Sequence, residues 1–148
     1  MKEKQRMAGR LSGRTALVTG ASRGIGRSIA QAYAREGANL VLSATNEASL
    51  DLVKNELEEW GVSVACFAAD LSEASAVDEL FARSIKAFPE LDVLVNNAGI
   101  HIGKPFTEHS MEEFDRLMKI NVYSVFQLTQ RAITLSLIHI SEPTRPLT

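Results

Sequence analysis

The sequence predicts an α/β protein built on a doubly wound parallel sheet. Short apolar, β-branched runs alternate with longer stretches of helical spacing, and the alternation repeats four times. The short runs are apolar almost throughout rather than at every second residue. Parallel strands need crossover connections, and helices that cross over on both faces leave the strands no wet side.

The elements follow in order. Candidate strands occupy residues 15–19, 39–43, 63–68 and 91–95. Between the first two, Ile29, Ala30 and Tyr33 form an apolar stripe from Gly26 to Arg35, and Gly37 follows as a stop signal. Leu50, Val53 and Leu57 recur at helical spacing in the next interval. Val77, Leu80, Phe81 and Ile85 do so in the third, with Ser72 as its expected N-cap. Met111, Phe114, Leu117, Met118, Val122, Val125 and Phe126 predict one further long helix starting near Ser110.

Composition narrows the function classes. The 148 residues are 45% hydrophobic and 23% charged, which places the chain among compact domains and far from disordered ones. A formal net charge of -2 gives no basis for a nucleic-acid or anionic-membrane partner. The charged segment 1–9 has no apolar run of a signal peptide, and nothing approaches the roughly 18 apolar residues of a membrane span, so the expected location is cytoplasmic. The single cysteine, Cys66, lies in an apolar run and reads as a core thiol. It excludes an internal disulfide framework, and no residue set has the spacing of a metal site.

The chemistry starts at the end of the first strand. Thr19 leads into Gly20, Ala21, Ser22, Arg23, Gly24, Ile25 and Gly26, after which a helix opens. Glycines supply a sharp turn and room for the backbone to approach a pyrophosphate, while the helix start at Gly24 offers free N–H groups and a positive dipole end. Gly26 lets the helix lie close on the first strand. A glycine cluster alone is weak, since glycines also mark plain turns. Strand before, helix after, within the first βαβ unit, is the context of a Rossmann-type dinucleotide site.

The spacing TGxxxGxG at Thr19, Gly20, Gly24 and Gly26 resembles the short-chain dehydrogenase/reductase family. Asn96-Asn97-Ala98-Gly99 after the fourth strand and Asp70-Leu71 after the third add to the resemblance, which covers about Arg10 to Thr134. The wording TGASRGIG is most similar to 3-oxoacyl-acyl-carrier-protein reductases and related carbonyl reductases. The resemblance implies a strand order 3-2-1-4, the N-terminal part of the family's sheet. It implies that Ser22, Arg23, Gly24 and Ile25 wrap the cofactor phosphates. Asp70 would receive the adenine amino group, with Leu71 beside the ring, and Asn97, Ala98 and Gly99 would line the adenosine ribose. Asn121, a poor mid-helix residue, would act catalytically: with a local helix distortion it would hold a water of the proton relay. The plainer alternatives are a helix cap for Asp70, an ordinary turn for the asparagine pair and a satisfied flank residue for Asn121. His101 and His109 form no ligand spacing and read as solvated, or at most as lining a substrate mouth.

Charge argues for NADP over NAD. An NAD site places a carboxylate about 20 residues past the glycine turn, on the ribose 2′-OH. The corresponding stretch reads Ser43-Ala44-Thr45-Asn46, and Glu47 stands beyond it, in the expected loop. Arg23 offers a cation to a 2′-phosphate and Thr45 a hydroxyl, although a solvated Arg23 is the alternative.

The implied reaction is hydride transfer between nicotinamide and a carbonyl or secondary alcohol, with a small carbonyl, alcohol or acyl-thioester substrate. The family's chemistry uses a serine and a Tyr-x-x-x-Lys. Here Gly37 stands four residues after Tyr33, and Gln127 four after Tyr123. The expected domain is therefore an incomplete cofactor-binding unit, 10–134, without turnover of its own. Residues 135–148, containing LSLIHISEPTR, resemble a translated sequencing-library adapter and are expected to be non-native. Their Pro143 and Pro146 do not suit a continuing helix. An exposed fourth strand and a partly uncovered last helix are expected to make the chain marginally stable. Members of the family often pair through this helix, so the whole parent protein is expected to be a homodimer or homotetramer. A non-catalytic redox-sensing nucleotide module is the alternative from another class, and a sugar-nucleotide epimerase fits less well.

Overall fold

The computed structural model describes residues 9–140. Four strands, β1 (Thr15–Thr19), β2 (Asn39–Ala44), β3 (Val64–Ala68) and β4 (Val93–Val95), form one parallel sheet in the order β3-β2-β1-β4. Leu17 pairs with Val41 on one side and with Leu94 on the other. This is the N-terminal part of a Rossmann-type sheet, in the strand order the sequence implied.

The helices α1 (Gly24–Arg35), α2 (Glu47–Glu58) and α3 (Ala74–Ala87) are the crossovers. Strand alternation feeds two cores. Ala16, Val18, Leu40 and Leu42 face Ala30, Ala34, Leu50, Val53 and Leu57 of α1 and α2. Leu17 and Val41 face the opposite way, toward Val77, Leu80 and Phe81 of α3 and Leu128 of the last helix. Every residue of β1 is buried, because β1 is central and covered on both faces. The helix ends follow ordinary stereochemistry. Gly37 ends α1 at φ 90°, where its N–H bonds the Ala34 carbonyl and the Ala38 N–H the Tyr33 carbonyl. Asn46 caps α2 by accepting from the Ser49 N–H at 2.9 Å.

Three expectations need correction. Glu47 does not lie in a loop but is the first residue of α2, next to the Asn46 cap. The residue preceding α3 is Glu73, with no side-chain cap bond; Ser72 is bound instead to Asp70. The apolar stripe from Ser110 does not form one regular helix. It divides into α4 (Met111–Met118), a π-helical turn (Lys119–Tyr123) and α5 (Ser124–Ile140). A capping box starts α4: Ser110 Oγ accepts from the Glu113 N–H, and the Glu113 carboxylate accepts from the Ser110 N–H, both at 3.1 Å. At the start of α5 the Ser124 hydroxyl donates back to the Ile120 carbonyl of the π-turn at 2.6 Å. Helix α5 passes Thr134 and runs to Ile140, since Leu135 to Ile140 contain no helix breaker. Most of the charged segment 1–9, and residues 141–148 with both tail prolines, lie outside the described residues.

Candidate functional site

The groove of about 360 Å³ opens above the carboxyl ends of β1 to β4. It is lined by the glycine turn, the end of β2, the turn after β3, the segment after β4, and Arg116 and Ile120. In a doubly wound sheet this is where ligands bind, at the point where strand order reverses, here between β1 and β4.

The glycine turn depends on three different properties of glycine. Gly20 (φ 62°) and Gly24 (φ 57°) lie in the left-handed region that side chains disfavour. A Cβ on Gly20 would meet Asn97 Nδ2 at 2.9 Å, whereas one on Gly24 would point into open space. Gly26 has an ordinary φ, but a Cβ there would overlap both the Gly20 carbonyl and the Asn97 amide. Gly26 thus holds α1 against the turn itself, and Gly24 leaves the helix N-terminus open. Arg23 precedes α1 in extended conformation, and its guanidinium has no partner among the described residues. Ile25 is 74% exposed at this helix start, an apolar side chain beside the groove.

Thr19 and Asn97 stitch the groove together. Thr19 is 1% exposed. Its hydroxyl oxygen accepts from the N–H groups of Asn97 (3.1 Å) and Ala98 (2.9 Å) and donates to the Val95 carbonyl (3.4 Å). The Asn97 amide donates back to the Thr19 and Gly20 carbonyls, each at 3.1 Å. The asparagine pair is therefore more than a turn former: Asn97 ties the end of β4 to the glycine turn, and Asn96 donates to Thr129 of α5 at 3.1 Å.

Asn121 sits in the π-turn with its side chain committed to the backbone. Its Oδ1 accepts from the Ile100 N–H and its Nδ2 donates to the Ile100 carbonyl, both at 2.8 Å. The π-turn and the segment after β4, including Gly99, are thereby fixed to each other. His101 is exposed on this segment, and His109 contacts the Lys104 carbonyl at 2.9 Å.

Asp70 lies at the far end. Its Oδ1 accepts from the Ser72 N–H (3.0 Å) and hydroxyl (2.7 Å), and Oδ2 faces Arg116 at 3.6 Å. The Ser72 bonds above all, with Arg116 adding to them, hold its carboxyl below the usual carboxylate range. Leu71 is buried in the core beneath and also lines the groove. Ser43, Ala44 and Thr45 form the wall at the end of β2, and no carboxylate lines that wall. Ser43 Oγ is buried with no hydrogen-bond partner among the described residues. An orphaned buried hydroxyl, a glycine cradle open at a helix start and a free cation beside it fit a phosphate-bearing dinucleotide.

Of the cofactor and catalytic residues expected from the sequence, the groove is lined by all except Gly26, which packs against the Gly20 carbonyl and the Asn97 amide, and Asn121, which is bonded to the lining residue Ile100; the motif residues Thr19 and Asn96 lie outside the lining. Sequence reasoning missed the Thr19 hydroxyl, Ser43 and Arg116. Thr19 was legible as part of the motif, but its bonds appear only once β1 and β4 pair. Nothing in the sequence signals that Arg116 reaches Ser72. A second groove, of about 600 Å³, runs along α5 from Asn121 to Thr134 and has no charged lining residue. Among the described residues there is no cluster of three potential metal ligands, and no helix is long and apolar enough to cross a membrane. Cys66 bonds the Leu50 carbonyl at 3.6 Å, and burial pushes its thiol up to about 11.

Comparison with known proteins gives the family. The family model for short chain dehydrogenases matches residues 14–140, and the chain belongs to that family. Gluconate 5-dehydrogenase of Gluconobacter oxydans is 41% identical over 120 residues, 81% of this chain and 47% of that protein. The 3beta-hydroxysteroid dehydrogenase 2 of Eggerthella lenta is 36% identical over 124 residues, 83% of this chain and 48% of that one. Among solved structures, a metagenomic short-chain oxidoreductase in complex with NADP superposes with a TM-score of 0.82 at 35% identity, covering 86% of this chain and 58% of the other. A Burkholderia cenocepacia short chain dehydrogenase, also in complex with NADP, gives 0.82 at 34% identity, covering 84% and 51%. The chain spans about half the length of the curated relatives it matches.

Proposed function

We propose that this chain is the cofactor-binding half of an NADP(H)-dependent oxidoreductase acting on a carbonyl or secondary alcohol. The observation that carries the reading is the electrostatics of the groove: an Arg23 at the glycine turn whose side chain has no partner among the described residues, and no carboxylate among the groove-lining residues at the end of β2. The helix start at Gly24 would hold the pyrophosphate, with the backbone of Ser22, Arg23 and Ile25 around it. Arg23 and the Thr45 hydroxyl would take the 2′-phosphate. Asp70 would accept from the adenine amino group, Leu71 would lie beside the ring, and Asn97, Ala98 and Gly99 would flank the adenosine ribose. The bound nicotinamide would supply the hydride.

The chain's own residues orient and enclose. Asn121 fixes the segment after β4 through Ile100, and its spare amide N–H in the π-turn would hold the water of a proton relay. Turnover needs a tyrosine and lysine that residues 1–148 do not provide at the required spacing, so the chain alone would bind cofactor without reacting. Within the carbonyl class, the wording TGASRGIG supports a 3-oxoacyl thioester substrate. The relatives' names span a sugar acid, a sugar alcohol and steroids. Fluorescence titration of the chain with NADPH and NADH tests the cofactor reading. NADPH should bind at least about tenfold tighter, the value of one charge-assisted bond; tighter binding of NADH would refute it.

A further inference from the structure

We infer that Arg116, on α4, is a positioning residue for base recognition: through Ser72 it locks the Asp70 carboxylate in the orientation that selects a purine bearing an exocyclic amino group. The inference rests on the reading of the groove as an NADP(H) site and adds a residue from outside the cofactor motifs.

Asp70 has a 47% exposed side chain in a turn between β3 and α3. A carboxylate that exposed, left free, rotates among several rotamers and reads no single group well. Here it is held from two sides. Ser72 donates to Oδ1 twice, through its N–H at 3.0 Å and its hydroxyl at 2.7 Å. Arg116 Nη1 donates to the same Ser72 hydroxyl at 3.1 Å and lies 3.6 Å from Asp70 Oδ2. The Ser72 hydroxyl is consequently polarised in one direction, accepting from Arg116 and donating to Asp70. Oδ1 is occupied, and Oδ2 retains lone-pair capacity in the groove that Asp70 and Arg116 both line.

Two donors and a neighbouring cation also fix its chemistry. The carboxyl stays ionised and offers acceptors only. Such an edge accepts from an amino N–H and repels a carbonyl oxygen at the same place. Adenine carries the first and hypoxanthine the second. A single guanidinium nitrogen, Nη1, faces both the hydroxyl and the carboxylate, so the bridge is made by one permanently charged group.

The test compares two ligands on the 148-residue chain: NADPH and its reduced hypoxanthine analogue, in which a carbonyl replaces the 6-amino group. Binding is followed by nicotinamide fluorescence, with far-UV circular dichroism as a check of folding. The wild type should prefer NADPH by about tenfold, the scale of one hydrogen bond to a charged acceptor. Arg116→Met should reduce that preference to about twofold, mainly by weakening NADPH. Arg116→Lys should fall between, and Asp70→Asn should match or exceed the loss in Arg116→Met. If Arg116→Met does not fold, the Lys variant carries the comparison.

An unchanged ratio in folded Arg116 variants overturns the inference while leaving the cofactor reading intact. Equal loss of both ligands also overturns it, since a purely structural or phosphate-binding arginine behaves that way. A wild type without preference overturns it together with the role of Asp70. Failure of the folded chain to bind NADPH at all would instead sink the proposed function.

Discussion

Replacing Thr19 with valine keeps the volume and β-branching of a fully buried strand residue but removes the oxygen that joins β1 to the end of β4. Two backbone N–H groups, those of Asn97 and Ala98, lose their acceptor, and the Val95 carbonyl loses its donor. An unsatisfied buried polar group costs about 1–3 kcal/mol. Asn97 and Ala98 are only half-buried, so the two amides together should cost about 2–4 kcal/mol. Against a domain stability of about 5–15 kcal/mol this is a large fraction. With a urea slope of about 2 kcal/mol/M, the midpoint should fall by roughly 1–2 M. The assay is urea unfolding followed by far-UV circular dichroism, with NADPH titration alongside. Thr19→Ser is the control: it keeps the hydroxyl and loses one methyl, at about 1 kcal/mol. A Thr19→Val chain that unfolds within about 0.5 kcal/mol of wild type, the range of a neutral surface change, would refute this role for the hydroxyl. Equal costs for Ser and Val would refute it as well.

Gly26→Ala should cost about 1–3 kcal/mol or more, because the added methyl overlaps the Gly20 carbonyl and Asn97 amide, neither able to withdraw freely; Gly24→Ala, facing open space, should suffer only backbone strain of about 1 kcal/mol. Urea midpoints of the two variants check the order. Ala44→Asp places a carboxylate on the β2 wall of the groove and should lower the NADPH-to-NADH preference at least about tenfold by equilibrium titration; an unchanged ratio would contradict the 2′-phosphate assignment. Burial raises the Cys66 thiol from 9.0 to about 11, so its stabilisation is complete below pH 9.0 and lost as pH rises toward 11. Wild type should therefore lose stability relative to Cys66→Ala across that window, measured by thermal unfolding, and a constant difference would count against it.

How much of this was legible in the sequence differs by element. The apolar run 15–19 matches β1 residue for residue, because a central parallel strand needs apolar side chains on both faces. The stripe beginning at Met111 gave the right residues and the wrong continuity. A π-turn inserts one extra residue per turn, and an amphipathic pattern with apolar neighbours at Leu117 and Met118 absorbs that slip unnoticed. Ser72 read as a cap because serine suits caps, but the nearer Asp70 carboxylate engaged both its N–H and its hydroxyl. Glycine roles were partly visible: that Gly26 is needed for close packing followed from the motif, while the identity of what it packs against required the Asn97 amide to be in place. Long-range partners such as Arg116 with Ser72, or Gln127 with Asp78, leave no periodic trace.

The central claim is that the glycine-turn groove, and not the apolar groove along α5, takes a dinucleotide. The most direct measurement is the change in backbone amide NMR shifts of the isotope-labelled chain on adding NADPH. The largest shifts should fall at Ser22 to Gly26, with further shifts at Thr45, Asp70 and Ala98. Shifts concentrated at Val122, Phe126 and Ile133, with the glycine turn unmoved, would contradict it.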